Sequence, residues 1–173
     1  MISDPLILAA AATDDEIADF YQTISAISFT LLGLWWVVAQ VKYSEWAVDP
    51  RRRRQAYAVS LYFLLPGVMT MLSAINAEIS LLWRLAFGLA GVLGVIEVIL
   101  YFAGGIRTVP ATVLRICALA LYALIIVFAI HPPLSASLGL APKEVESILA
   151  GLLIVVGVNI AWFVFVEPAE TAR

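Results

Sequence analysis

The sequence predicts an all-α fold: a polytopic bundle of five transmembrane helices, forming a single integral membrane domain over residues 1–173. Three observations predict it. Hydrophobic residues make up 63% of the chain and charged residues only 13%, about half the charged share of a soluble domain. The charges cluster in a few short connections, so the formal net charge of −3 says little about any one surface. Between the clusters lie five apolar stretches, each near the roughly 20 residues that cross a hydrocarbon core as a helix.

Span one covers residues 17–41 and is introduced by Thr13-Asp14-Asp15-Glu16. Thr13 followed three residues later by Glu16 is a capping-box pattern, and acidic residues in the first turn suit the positive end of the helix dipole. The residues before it hold an apolar stretch but no basic segment, and Asp4 stands where a signal peptide carries Lys or Arg. That segment is expected to be retained. Span two, residues 56–76, carries Pro66-Gly67 near its middle. A proline there removes a backbone donor and crowds the preceding turn, which predicts a kink.

Span three covers residues 81–103 and span four residues 110–130. Pro110 fits the first helical turn, where its missing N–H is harmless, and His131-Pro132-Pro133 ends the span. Span five, residues 145–166, follows Pro142 and closes at Glu167-Pro168.

The connections set an orientation. Lys42 and the run Arg51-Arg52-Arg53-Arg54 follow span one, and Arg107 follows span three. Around the connections after spans two and four the basic residues are one or two at most, Arg84 at the start of span three and Lys143. The positive-inside rule therefore predicts an outside N-terminus and a cytoplasmic C-terminus, in the plasma or inner membrane. Short connections on either side of span three make spans two, three and four antiparallel neighbours. The arginine run reads first as a charge anchor and second as a cytoplasmic basic collar that attracts anionic lipids. Besides the lipid bilayer, the expected partner is another copy of the chain in a homo-oligomer; nothing points to nucleic acid.

Glu97 poses the central chemical question, because it interrupts the oily run Leu93–Phe102. A charge in that setting is unfavourable by roughly 2–3 kcal/mol or more unless compensated. Counting about 1.5 Å per residue along antiparallel helices sets Glu97, Arg115 and Asn159 at matched depth, with Tyr62 and Trp36 reaching the same level. An ion pair between Glu97 and Arg115 follows as the expectation. One reading makes it a structural clasp, since stripping one partner from a buried pair leaves an uncompensated charge. The other makes it an ion or proton site.

Span one adds a second pattern. Tyr21, Gln22, Ser25 and Ser28 recur at helical spacing, beside Thr23 and Thr30, and the bulky stretch that includes Trp35 and Trp36 follows. A hydrated vestibule narrowing to an aromatic constriction has this form. The plainer reading is hydroxyls bonding their own or a neighbouring backbone. Ala86, Ala90 and Gly94 recur every four residues in span three, as do Gly157 and Ala161 in span five. Such small-residue ladders permit close helix packing, and the first of them would turn Glu97 inward within one subunit.

Catalytic signatures are missing: no zinc-type H-E-x-x-H, no phosphate loop and no G-x-S-x-G elbow. One cysteine, Cys117, and one histidine, His131, favour neither a disulfide nor a metal site. Cys117 reads as a small apolar filler and His131 as an interfacial cap. No cofactor and no enzymatic activity are expected.

The sequence therefore points to a homo-oligomeric ion channel or transport pathway. Gln22, Ser25, Ser28 and Trp36 would line the pore, and Glu97, Arg115 and Asn159 would form an intramembrane layer. The alternative is a non-catalytic structural or regulatory subunit of a larger membrane complex.

Overall fold

The structure, a computed structural model, describes residues 5–75, 80–102 and 109–166. Among these the fold is all-helical, without strands. In chain order come α1 (Pro5–Val41), the single turn α2 (Tyr43–Trp46), α3 (Pro50–Ile75), α4 (Ser80–Phe102), α5 (Val109–Ile130), a 3₁₀ segment (Pro132–Leu138) and α6 (Pro142–Val166). Five of these helices are long and apolar enough to cross a membrane: Glu16–Val41, Pro50–Ala74, Leu81–Leu100, Val109–Ile130 and Pro142–Val166.

Two helix starts differ from the sequence expectation. Helix α1 begins at Pro5 and runs unbroken through Thr13, so Thr13 is not its N-cap. Helix α3 begins at Pro50, and the arginine run forms its first turns. Asp49 is the reason: its Oδ1 accepts the Arg51 N–H at 2.8 Å, the cap-to-N2 bond that a helix start requires, and Pro50 fills N1. Helix α3 continues through Pro66, where the proline offers no N–H to the Tyr62 carbonyl.

Helix α3 is the hub, packing against α1, α4 and α6, while α5 closes the bundle between α4 and α6. The antiparallel order gives the bundle two ends. At the basic end α1 stops and α3 starts; at the opposite end α5 stops and α6 starts.

One arginine seals each end. Arg84 of α4 donates from Nε to the Ala129 carbonyl (2.8 Å) and from Nη2 to that of Ile130 (3.0 Å). Arg52 donates from Nη1 to the Val164 carbonyl at 3.1 Å, near the end of α6. Terminal carbonyls lack intrahelical donors, and a cation there also suits the negative end of the dipole. Arg52 is thus buried, whereas Arg51, Arg53 and Arg54 stay exposed. The expected four-arginine collar is reduced to three, because one guanidinium is spent on a helix terminus.

Helix α6 starts with the carboxylate half of a capping box: Glu144 Oε2 accepts the Ala141 N–H at 2.7 Å. The 3₁₀ segment before it closes on Gly139, whose φ of 69° lies in the left-handed region that glycine adopts without strain. His131 stands at the start of that segment, but its exposed side chain makes no capping bond. Cys117 faces outward rather than filling the interior. At the basic end the Trp35 indole donates to the Ala56 carbonyl at 2.9 Å and packs on Trp46 with ring centroids 5.7 Å apart. Arg107, Glu167 and Pro168 lie outside the described residues.

Candidate functional site

Small residues create the site. On α4, Ala86, Ala90 and Gly94 are buried along the face that meets the rest of the bundle, as the ladder predicts. Gly94 lies directly against the Tyr122 ring of α5. On α6, Gly157 lets Tyr62 of α3 approach so closely that an added Cβ would sit 3.0 Å from the Tyr62 Cβ. The two glycines thus make room for two phenols, Tyr62 and Tyr122, whose ring centroids are 6.1 Å apart.

Glu97 lies one turn beyond Gly94 on the same helix face. It is 1% exposed and within electrostatic reach of both phenols. Neither of its carboxyl oxygens has a hydrogen-bond partner, nor does the Tyr122 hydroxyl. The expected ion pair with Arg115 is therefore not formed. Arg115 is half-buried and close enough to act electrostatically on Tyr62.

Two residues placed in this layer by helix counting lie elsewhere. Asn159 is exposed, and its Nδ2 donates to the Val155 carbonyl of its own helix at 2.8 Å. Trp36 is 53% exposed and lines a crevice of about 250 Å³ at the basic end with Tyr43, Trp46, Arg53 and Tyr57. Counting along helices does not set azimuth: both residues are exposed, turned away from the buried interior that holds Glu97.

The stripe on α1 also divides. Ser25 and Ser28 are buried against α3. Ser25 donates to the Gly67 carbonyl at 3.1 Å. Ser28 packs on Gly67, where an added Cβ would lie 3.1 Å from its own, and its hydroxyl has no partner. Gln22 is exposed and borders an open groove of about 360 Å³ with Ser25, Ala26, Met71 and Ala74. Tyr21, Ser25 and Ser28 are thus spent inside the bundle, while Gln22, Thr23 and Thr30 face out.

Sequence reasoning missed Glu146. It lies in the second turn of α6, 0% exposed, with both carboxyl oxygens unpartnered. Tyr21 of α1 is its electrostatic neighbour, and the Tyr21 hydroxyl donates to the Lys143 carbonyl at 2.9 Å. Glu144 and Glu146 look alike in sequence as helix-start acids. The i, i+3 and i+4 recurrence of Glu146 with Leu149, Ala150 and Leu153, all buried, was the signal that separates them.

Among the described residues, no three His, Cys, Asp or Glu side chains gather as a metal-binding group. Comparison with protein-family models, with curated proteins and with solved structures finds no match for this chain.

Proposed function

We propose that this protein moves an ion across a membrane and that Glu97 is the working group of the route. The observation that carries this reading is a carboxyl group 1% exposed, both oxygens without a hydrogen bond, inside a bundle of bilayer-length helices. An ionisable group kept in such a place is destabilising unless something intermittently satisfies it. A passing ion does that; a structural clasp with Arg115 would have done it permanently.

In this reading the arginine-rich end faces the cytoplasm and the N-terminus lies outside. Glu97 then controls the cytoplasmic half of the route. The buried positions of Ser25 and Ser28 favour a route within each bundle over one shared at the axis of a homo-oligomer. The protein acts as a transporter or channel rather than as an enzyme.

Ion flux into liposomes holding the purified protein tests the reading, measured for several ions at two pH values with wild type and Glu97→Gln. Flux above that of empty liposomes, altered by the substitution, is the expected result. Flux indifferent to the substitution would leave Glu97 a structural residue. Absence of flux under every condition would favour the alternative, a non-catalytic subunit of a larger complex.

A further inference from the structure

Among the described residues two buried carboxyl groups, not one, lack hydrogen-bond partners, and they lie toward opposite ends. Glu146 is in the second turn of α6, beside Tyr21. Glu97 lies beyond the Tyr62–Tyr122 pair, toward the basic end. Counting from Glu146 to Gly157 on α6 and from Gly94 to Glu97 on α4 gives an axial separation on the order of 20 Å.

The interval between them is not uniformly apolar. Tyr62, Thr70 and Ser73 follow one another on the buried face of α3, at spacings that keep them on one side of a helix. Thr70 Oγ1 donates to the Pro66 carbonyl at 2.7 Å and Ser73 Oγ to that of Met69 at 2.8 Å. Each hydroxyl oxygen therefore still has lone pairs to accept with. The long step between Tyr62 and Thr70 is flanked by the unpartnered hydroxyl of Ser28, seated on Gly67.

We propose that the transported ion is a proton and that it crosses inside a single protomer, between Glu146 and Glu97, along the hydroxyl-bearing face of α3. This rests on the transport reading above and names its substrate. Donor chemistry favours a proton over a metal cation at these sites. A desolvated divalent cation needs about six oxygen ligands, and among the described residues no three His, Cys, Asp or Glu side chains gather around either carboxyl. A proton needs one acceptor at a time.

The transfer balances at every step. When water reaches its end of the bundle, the Glu146 carboxylate, 0% exposed at rest, takes a proton from hydronium, leaving water, and becomes the acid. It releases that proton to the file, where each hydroxyl oxygen accepts one proton and, on turning from its backbone carbonyl, passes on its own. Glu97 carboxylate receives the last one, having already given its previous proton to water at the basic end.

The charged surroundings leave both carboxyls available. Around Glu146, Tyr21 is held on the Lys143 carbonyl and Glu144 on the Ala141 N–H. On α4, Arg84 is held on the last carbonyls of α5, and His131 is exposed. Around Glu97 stand Tyr62 of α3 and Tyr122 and Arg115 of α5.

The test uses proteoliposomes with a pH-sensitive dye inside, a clamped membrane potential and an imposed pH gradient. Wild type, Glu97→Gln and Glu146→Gln are compared, with sodium and potassium flux measured in parallel. Wild type should pass protons and neither metal ion. Each substitution should slow proton flux by about a hundred-fold or more, the scale on which a positioned proton-transfer group acts. Glu146→Asp, which keeps a carboxyl, should retain more flux than Glu146→Gln.

A carbodiimide, which attacks protonated carboxyls in apolar surroundings, should label both Glu97 and Glu146 in the wild type, read by peptide mass spectrometry without any flux. Sodium or potassium flux without proton flux would overturn the proton assignment and leave the transport reading standing. Full proton flux in a well-folded Glu146→Gln would remove Glu146 from the path while Glu97 keeps its role. Loss of all flux in wild type would take down both together.

Discussion

Gly94 of α4 lies directly against the ring of Tyr122, and this one contact sets the position of Glu97 a turn further along the same helix. Tyr122 is fully buried and pairs with Tyr62, so its ring has nowhere to retreat. Gly94→Ala should therefore destabilise the bundle by about 1–3 kcal/mol through overpacking. Thermal unfolding in detergent checks this. Gly33, with nothing within 4 Å of an added Cβ, supplies the control: Gly33→Ala should leave the midpoint unchanged or raise it slightly, since alanine is the better helix former. Equal midpoints for wild type and Gly94→Ala would show that Tyr122 can move.

Arg84 holds the end of α5 through two hydrogen bonds to terminal carbonyls. Arg84→Gln should lose about 1.5–3 kcal/mol, the range for hydrogen bonds to charged groups. Arg54, exposed on the first turns of α3, should change stability by less than about 0.5 kcal/mol when made Gln. The pair of variants, followed by denaturant unfolding in mixed micelles, separates helix capping from simple loss of positive charge. Similar losses in both would refute the capping role.

The five-helix architecture was legible because bilayer length and apolar run length coincide in every span. The inward turn of Glu97 was legible too, since Ala90, Gly94 and Glu97 fall on one helix face. The start of α3 at Pro50 was readable in Asp49-Pro50 but was masked by the arginine run, whose charge resembles a connection. The partners of the buried groups were not legible. Helix counting estimates depth but leaves rotation about each axis free, so Arg115, Asn159 and Trp36, counted to the level of Glu97, form no bond with it. Glu146 was hidden by its place near a helix start, where an acid already has a reason to exist.

Glu97 is a functional liability in energetic terms. A buried polar group without partners destabilises by about 1–3 kcal/mol, and an apolar side chain of similar shape removes that penalty. Glu97→Met should therefore raise the unfolding midpoint while abolishing ion flux. That opposition distinguishes a working group from a clasp, because breaking a buried clasp destabilises. A lowered midpoint in Glu97→Met would reveal a stabilising partner for the carboxyl.

Asn159 tests the boundary of the site. Its amide faces away from the bundle and is already bonded to the Val155 carbonyl one turn earlier. If the ion route runs through the interior, Asn159 takes no part in it. Asn159→Leu should then leave flux at the wild-type level and change protomer stability by less than about 0.5 kcal/mol, as for a surface position. Ser28→Ala provides the contrast. It removes an unpartnered interior hydroxyl, so the fold should be equally or more stable, yet flux should fall because the file along α3 loses a member. Flux that falls in Asn159→Leu and persists in Ser28→Ala would move the route out of the bundle interior, to the surface where α6 presents its amide.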